Sequence, residues 1–132
     1  MLDRIDLHVE VTPVAFSELS SKSNKGEPSS SIRDRVIKAR DIQAERYKTS
    51  PGMYANAQMS SKQLREICVI NQAGEALLKK AMERLNLSAR AYDRILRVSR
   101  TIADLSGSID IKAEHLAEAI QYRSLDREGW AG

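Results

Sequence analysis

The chain has 132 residues, a net charge of +3, and a hydrophobic share of 42% against 30% charged. That is room for one small domain, or a domain with a flexible segment, and no apolar run approaches the ~18 residues of a membrane span. The single cysteine, Cys68, excludes an internal disulfide, and with only 5% aromatics the core must come from Leu, Ile, Val, Ala and Met.

Residues 1–16 alternate, with Ile5, Leu7, Val9 and Val11 against Asp6, His8, Glu10 and Thr12. This pattern predicts a half-buried strand ended by Pro13. Nothing else in the chain supplies a sheet, so the strand reads as detached, a remnant of a larger unit. Residues 17–31 hold seven serines with Gly26 and Pro28, a flexible linker. A helical domain is expected over 32–123 and a frayed tail over 124–132. Ser31 is the expected N-cap of a first helix through Tyr47, with a thin stripe of Ile32, Val36, Ala39, Gln43 and Tyr47 on an otherwise charged rod. Ser50-Pro51-Gly52 marks a loop. Ser60 or Ser61 then caps a short helix that buries Leu64, Ile67 and Cys68. A third helix covers 72–85 with Leu77, Leu78, Ala81 and Leu85 inward.

Ser88 caps the most strongly amphipathic segment. At 100° per residue, Ala91, Ile95, Val98, Ile102 and Leu105 form one row, widened by Tyr92, Leu96, Ser99 and Ala103. Arg90, Asp93, Arg94, Arg97, Arg100, Thr101 and Asp104 fall on the other face. A helix half apolar is packed from more than one side, so it is expected at the centre. Gly107 ends it, and Asp110 is expected to cap a last helix with Ala113, Leu116, Ala117 and Ile120 inward. The expected fold is all-α, a small bundle of about five helices.

Chemistry-bearing motifs are sparse. No stretch fits a phosphate-binding G-x-x-x-x-G-K-[ST] loop, so the region alone has no catalytic centre to hydrolyse a nucleotide. His8 and His115 are isolated and lack metal-ligand spacing, so no metal site is expected. Carboxylates pair with basic residues at i, i+4, as in Asp93–Arg97 and Arg100–Asp104. A mildly basic balance, with a pI near 9.1, permits an anionic partner. Arg90 lies in the first turn of its helix, where the dipole favours an anion and a guanidinium can hold a phosphate bidentately. Arg4 opens the alternating segment. For both, a phosphate role and an ordinary salt bridge stay open on residue types alone.

Five blocks carry a resemblance: Leu2-Asp3-Arg4-Ile5-Asp6-Leu7-His8-Val9-Glu10-Val11, Asn56-Ala57-Gln58-Met59, Leu87-Ser88-Ala89-Arg90-Ala91-Tyr92, Arg100-Thr101-Ile102-Ala103-Asp104-Leu105 and His115-Leu116-Ala117-Glu118-Ala119-Ile120-Gln121-Tyr122-Arg123. In this order they resemble the C-terminal part of magnesium-chelatase-like AAA+ ATPases, of the ComM (YifB) type. Ser99 stands where alanine is more usual. The resemblance implies an α/β nucleotide-binding core, absent here, followed by a helical lid that this chain supplies. Residues 32–47 sit where the branch that includes the minichromosome-maintenance helicases carries a long extra helix.

By the same resemblance Arg4 matches the arginine finger, acting in trans, and Arg90 the sensor-2 arginine at the γ-phosphate of ATP. ATP and Mg²⁺ would be bound by the full-length parent, in a homo-oligomeric, hexameric ring. That parent would be cytoplasmic and would act on DNA, by branch migration or helicase activity. Arg94, Arg97 and Arg100 are candidates for contact with DNA or a neighbouring subunit. Two alternatives carry different partners: the lid of a magnesium-chelatase ATPase subunit, and a free-standing helical nucleic-acid-binding module.

Overall fold

The computed structural model describes residues 5–9 and 26–123. Five helices follow in order: α1 (Ser29–Arg46), α2 (Ser61–Ile67), α3 (Gln72–Leu85), α4 (Ala89–Leu105) and α5 (Ala113–Gln121), with a 3₁₀ turn at Asn56–Gln58. The fold is an all-α small helical bundle. Among the described residues the one β pairing is an isolated parallel bridge between Ile70 and Ile111, which ties the α2–α3 connection to the α4–α5 connection.

Local chemistry sets most of the helix ends. Ser60 Oγ accepts from the Gln63 amide at 3.2 Å while Gln63 Oε1 accepts from the Ser60 amide at 3.0 Å, a reciprocal box that starts α2. Asn71 Oδ1 accepts from the Gly74 amide at 2.8 Å, and Ser88 Oγ from the Ala91 amide at 3.1 Å, starting α3 and α4. Gly107 takes φ +71°, and the Ser108 amide donates back to the Ala103 carbonyl at 2.8 Å, the left-handed exit expected of a glycine there.

Two ends differ from expectation. α1 starts at Ser29 after Pro28, not after Ser31, so the last linker serines are helical. The Pro28 carbonyl takes both the Ser31 and Ile32 amides, and proline's fixed φ suits that entry. At α5 the capping position is Lys112, not Asp110, and His115 Nδ1 accepts from the Lys112 amide at 2.9 Å. The bridge at Ile111 holds Asp110 in the preceding loop.

The core joins Tyr47, Met59, Leu64, Leu78, Ile95 and Leu116. α4 is its hub, touching α1, the 3₁₀ turn, α2 and α5, while α3 closes on α5. A Cβ at Gly74 would come within 2.8 Å of Leu116 Cδ1, so α3 and α5 approach closely at that point. Rotations of α4 and α5 depart from the predicted faces. In α4 Ser99 and Ala103 are buried as predicted, but so are Arg100 and Asp104 of the charged face, whereas Tyr92 and Leu105 are exposed. In α5 His115, Leu116 and Ala119 are buried, and Ala117 faces out.

The described part of the expected strand, residues 5–9, forms no strand; the rest of 1–16 lies outside the described residues, as do 17–25 of the linker and the tail. Ile5, Leu7 and Val9 are exposed and His8 is buried, the reverse of the predicted faces. This segment lies on the bundle, its His8 amide donating to the Tyr122 carbonyl at 2.7 Å.

Candidate functional site

The largest polar feature was not foreseen. Arg46, at the end of α1, donates to both oxygens of Asp104 on α4, at 2.8 and 2.7 Å. Asn56 fills the space between them with all four of its side-chain hydrogen bonds. Its Oδ1 accepts from Arg46 Nη1 at 3.0 Å and from the Tyr47 hydroxyl at 2.6 Å. Its Nδ2 donates to Thr101 Oγ1 at 3.0 Å and to Asp104 Oδ2 at 2.9 Å. The Asn56 amide donates to Gln43 Oε1 at 3.0 Å. A buried amide satisfied on every side holds one geometry, because each lost bond would leave a desolvated polar group.

Arg100 completes this network and does not join the outer arginine row. Its side chain is 5% exposed, pairs with Asp104 at 3.2 Å, and donates to the Ser108 and Ile109 carbonyls at 2.8 and 2.9 Å. It braces the α4–α5 connection from inside, so it presents no surface for DNA or a subunit. Burial would raise the Asp104 carboxyl, but hydrogen bonds from Arg46 and Asn56 and the charges of Arg46 and Arg100 outweigh it and hold the group below its usual range. The network explains two of the five sequence blocks physically: Asn56 to Met59 and Arg100 to Asp104 are the latch that docks α1. Their signal in the sequence was an Arg–x₃–Asp pair and an Asn beside a proline-glycine turn, both of which also fit solvated positions.

Arg90 is exposed in the first turn of α4. It borders a groove of about 820 Å³ between α2, α3 and the start of α4, with Arg65, Glu75, Asp93 and Leu96 among its walls. Cys68 lies deeper in the same wall, its Sγ 3.8 Å from the Leu96 carbonyl, and burial pushes its thiol up to about 11. A thiol so raised is a packing group and a poor nucleophile. The groove walls thus carry two guanidinium groups, Arg65 and Arg90, balanced by two carboxylates, Glu75 and Asp93, beside apolar surface; Arg90 alone of these lies in the first turn of α4, where the helix dipole favours an anion.

The other predicted residues scatter. Arg94, one turn after Arg90, pairs with Asp6. Arg97 donates through Nη2 to the Met59 carbonyl at 2.9 Å, which ties α4 to the α2 approach, while Asp93 accepts from Ser61 Oγ at 3.1 Å. Arg4 lies outside the described residues. Arg123, which no sequence argument singled out, is wholly buried and donates to the Ile5 carbonyl. Among the described residues no group of three or more His, Cys, Asp or Glu could hold a metal ion, and no helix is long and apolar enough to cross a membrane.

The family model for the magnesium chelatase, subunit ChlI C-terminal, matches residues 26–123, the whole span of the bundle. Competence protein ComM of Haemophilus influenzae is 44% identical over 126 residues, covering 96% of this chain. The uncharacterized protein YifB of Salmonella typhimurium is 36% identical over the same length and share, and an uncharacterized protein of Mycobacterium tuberculosis is 34% identical over 123 residues, 93% of the chain. The chain spans 24% of the length of each of these relatives. It is similar to ComM and YifB proteins over a part of their length, and it belongs to the magnesium chelatase, subunit ChlI C-terminal, family.

Proposed function

We propose that this chain is the lid region of a ring-forming AAA+ ATPase, in which Arg90 senses the γ-phosphate of ATP and Arg4 acts as an arginine finger on the ATP of a neighbouring subunit. One observation carries the reading: in a member of this family, the first turn of the central helix presents an exposed arginine that borders a groove walled by α2, α3 and α4. Positive charge placed at transferring phosphoryl oxygens is worth ~10³-fold or more in rate, with little covalent chemistry left for the protein. Lid closure on ATP brings Arg90 to the phosphate, and its release on hydrolysis lets the lid swing. In this reading the ligands of Mg²⁺ belong to the nucleotide-binding core of the parent.

DNA is the proposed substrate of the parent, which couples ATP hydrolysis to branch migration or unwinding in the cytoplasm. That choice rests on the ComM-type resemblance. The description of the family model favours a second reading, an ATPase subunit that drives metal insertion by a chelatase partner. The test is steady-state ATP hydrolysis by the full-length protein with and without branched DNA. Stimulation by DNA, with hydrolysis lost in both Arg4→Ala and Arg90→Ala, supports the first reading. Hydrolysis indifferent to DNA supports the second, and undiminished hydrolysis in both variants refutes the ATP roles.

A further inference from the structure

Two guanidinium groups share one carboxylate at the end of α1. Arg46 and Arg100 both pair with the fully buried Asp104, at 2.7 and 3.2 Å, while their own side chains are 19% and 5% exposed. One positive charge is left over in this group. The Ser108 and Ile109 carbonyls that accept from Arg100 satisfy its hydrogen bonds but carry no net charge. Donors are left over as well. Arg46 uses three of its five N–H groups, on Asn56 and Asp104, and Arg100 Nε is buried with no hydrogen-bond partner. A desolvated charge without a counter-charge is costly, so this group favours an incoming anion.

Both arginines border a cavity of about 400 Å³ between the ends of α1 and α2 and the α4–α5 connection. It shares no residue with the groove beside Arg90. Ile42 of α1, Ile67 of α2 and Ile109 of the connection also line it. Ile109 is 90% exposed, the most exposed large apolar side chain among the described residues. Glu45, the one acidic residue on the cavity wall, is already paired with Lys48 at 2.6 Å. Apolar walls around a few convergent polar groups are the usual make-up of a ligand site of this size.

We propose that this cavity binds a singly charged carboxylate with an apolar tail, the carboxylate on Arg46 and the tail on Ile42, Ile67 and Ile109. Arg46 makes the charge-assisted hydrogen bond, and Arg100 contributes its charge from inside. A single negative charge matches the one left over, whereas a phosphate brings about −1.5 to −2 at neutral pH. The isoleucines favour a tail that a bare ion lacks. Two sources present this chemistry, a free small acid and a glutamate side chain set between apolar residues of a protein segment.

Isovalerate is the probe for the first source and the capped peptide acetyl-Leu-Glu-Leu-amide for the second. Each is titrated into the chain at pH 7 and constant ionic strength, and the amide NMR shifts of Gly107, Ser108 and Ile109 are followed. Saturable shifts at about millimolar concentration are expected for at least one probe, and the tighter of the two identifies the source. Inorganic phosphate is expected to bind at least about tenfold more weakly, and isoamyl alcohol, the neutral analogue of isovalerate, to cause no saturable shift. Ile109→Ala is expected to weaken binding at least about fivefold through lost apolar contact. Ile109→Glu, which sets a carboxylate of the chain's own beside the two arginines, is expected to abolish it. Both substitutions fall on an exposed side chain, and melting followed by circular dichroism is expected to show the fold retained. No saturable shift with either carboxylate overturns the proposal. So does phosphate binding as tight as that of the carboxylates, or binding that persists unchanged in Ile109→Glu.

Discussion

Replacing Asp104 by asparagine tests the latch that docks α1. The carboxylate is fully buried and receives both guanidinium nitrogens of Arg46, the Asn56 amide and the charge of Arg100. Asparagine keeps the shape but removes the charge, and turns one oxygen into a donor facing the donors of Arg46. Removing one partner of a buried pair costs about 3–5 kcal/mol, because the other charge stays buried without compensation. Two features place this site at the low end. The Arg46 side chain is 19% exposed and regains water, and Arg100 keeps its two carbonyl partners. A loss of about 3 kcal/mol is expected, which for a domain of this size lowers the melting midpoint by roughly 12–24 °C. Thermal and urea unfolding followed by far-UV circular dichroism measures it, with Arg35→Gln as control: that arginine pairs with Glu27 at the solvent-exposed start of α1 and its loss should leave the midpoint unmoved. An Asp104→Asn midpoint equal to wild type would refute the latch.

The same carboxylate makes a pH prediction. Its pKa is depressed in the folded state, so its contribution is fully present above the unfolded value of about 3.9 and fades as pH falls below it. Urea midpoints between pH 7 and pH 3 should drop most steeply below about pH 4, and less steeply in Asp104→Asn. Cys68, with its thiol raised to about 11, should resist a thiol reagent at pH 8 in the native protein and react at once in urea; fast native labelling would contradict its burial. Ser88→Ala should cost about 1 kcal/mol through loss of the α4 cap, whereas the exposed Arg90→Ala should stay within about 0.5 kcal/mol. Matching urea curves for those two variants would contradict the separation of fold from site at the start of α4.

What the sequence makes legible, and what it hides, follows from how each residue is satisfied. α3 and α4 are plain in the sequence because their apolar residues recur at helical spacing and Asn71 and Ser88 are strong caps that act locally. The rotation of α4 is hidden. Arg100 and Asp104 belong to the charged face by type, yet they lie inside because they neutralise each other and because Arg46 and Asn56, 58 and 48 positions away from Asp104, complete its bonding. A pattern read along one helix holds no record of partners supplied by another. The thin stripe of α1 is correct where Ala39, Gln43 and Tyr47 are buried, but Val36 and Ile32, one and two turns before Ala39, stay exposed, because only the C-terminal half of the helix lies on the bundle. Arg123 hides for the same reason as Asp104: its partner, the Ile5 carbonyl, is a backbone atom at the other end of the chain. For Arg90 the first-turn position is visible in the sequence, but its groove appears only once α2 and α3 fold beside it.

The most direct test of the account compares ATP and ADP binding to the full-length protein before and after Arg90→Ala. An arginine that senses the γ-phosphate adds a charge-assisted bond to ATP alone, worth about 1.5–3 kcal/mol, or roughly 10–150-fold in affinity. The account predicts that the substitution weakens ATP by a factor in that range and leaves ADP unchanged. Equal weakening of both nucleotides, or of neither, would contradict it.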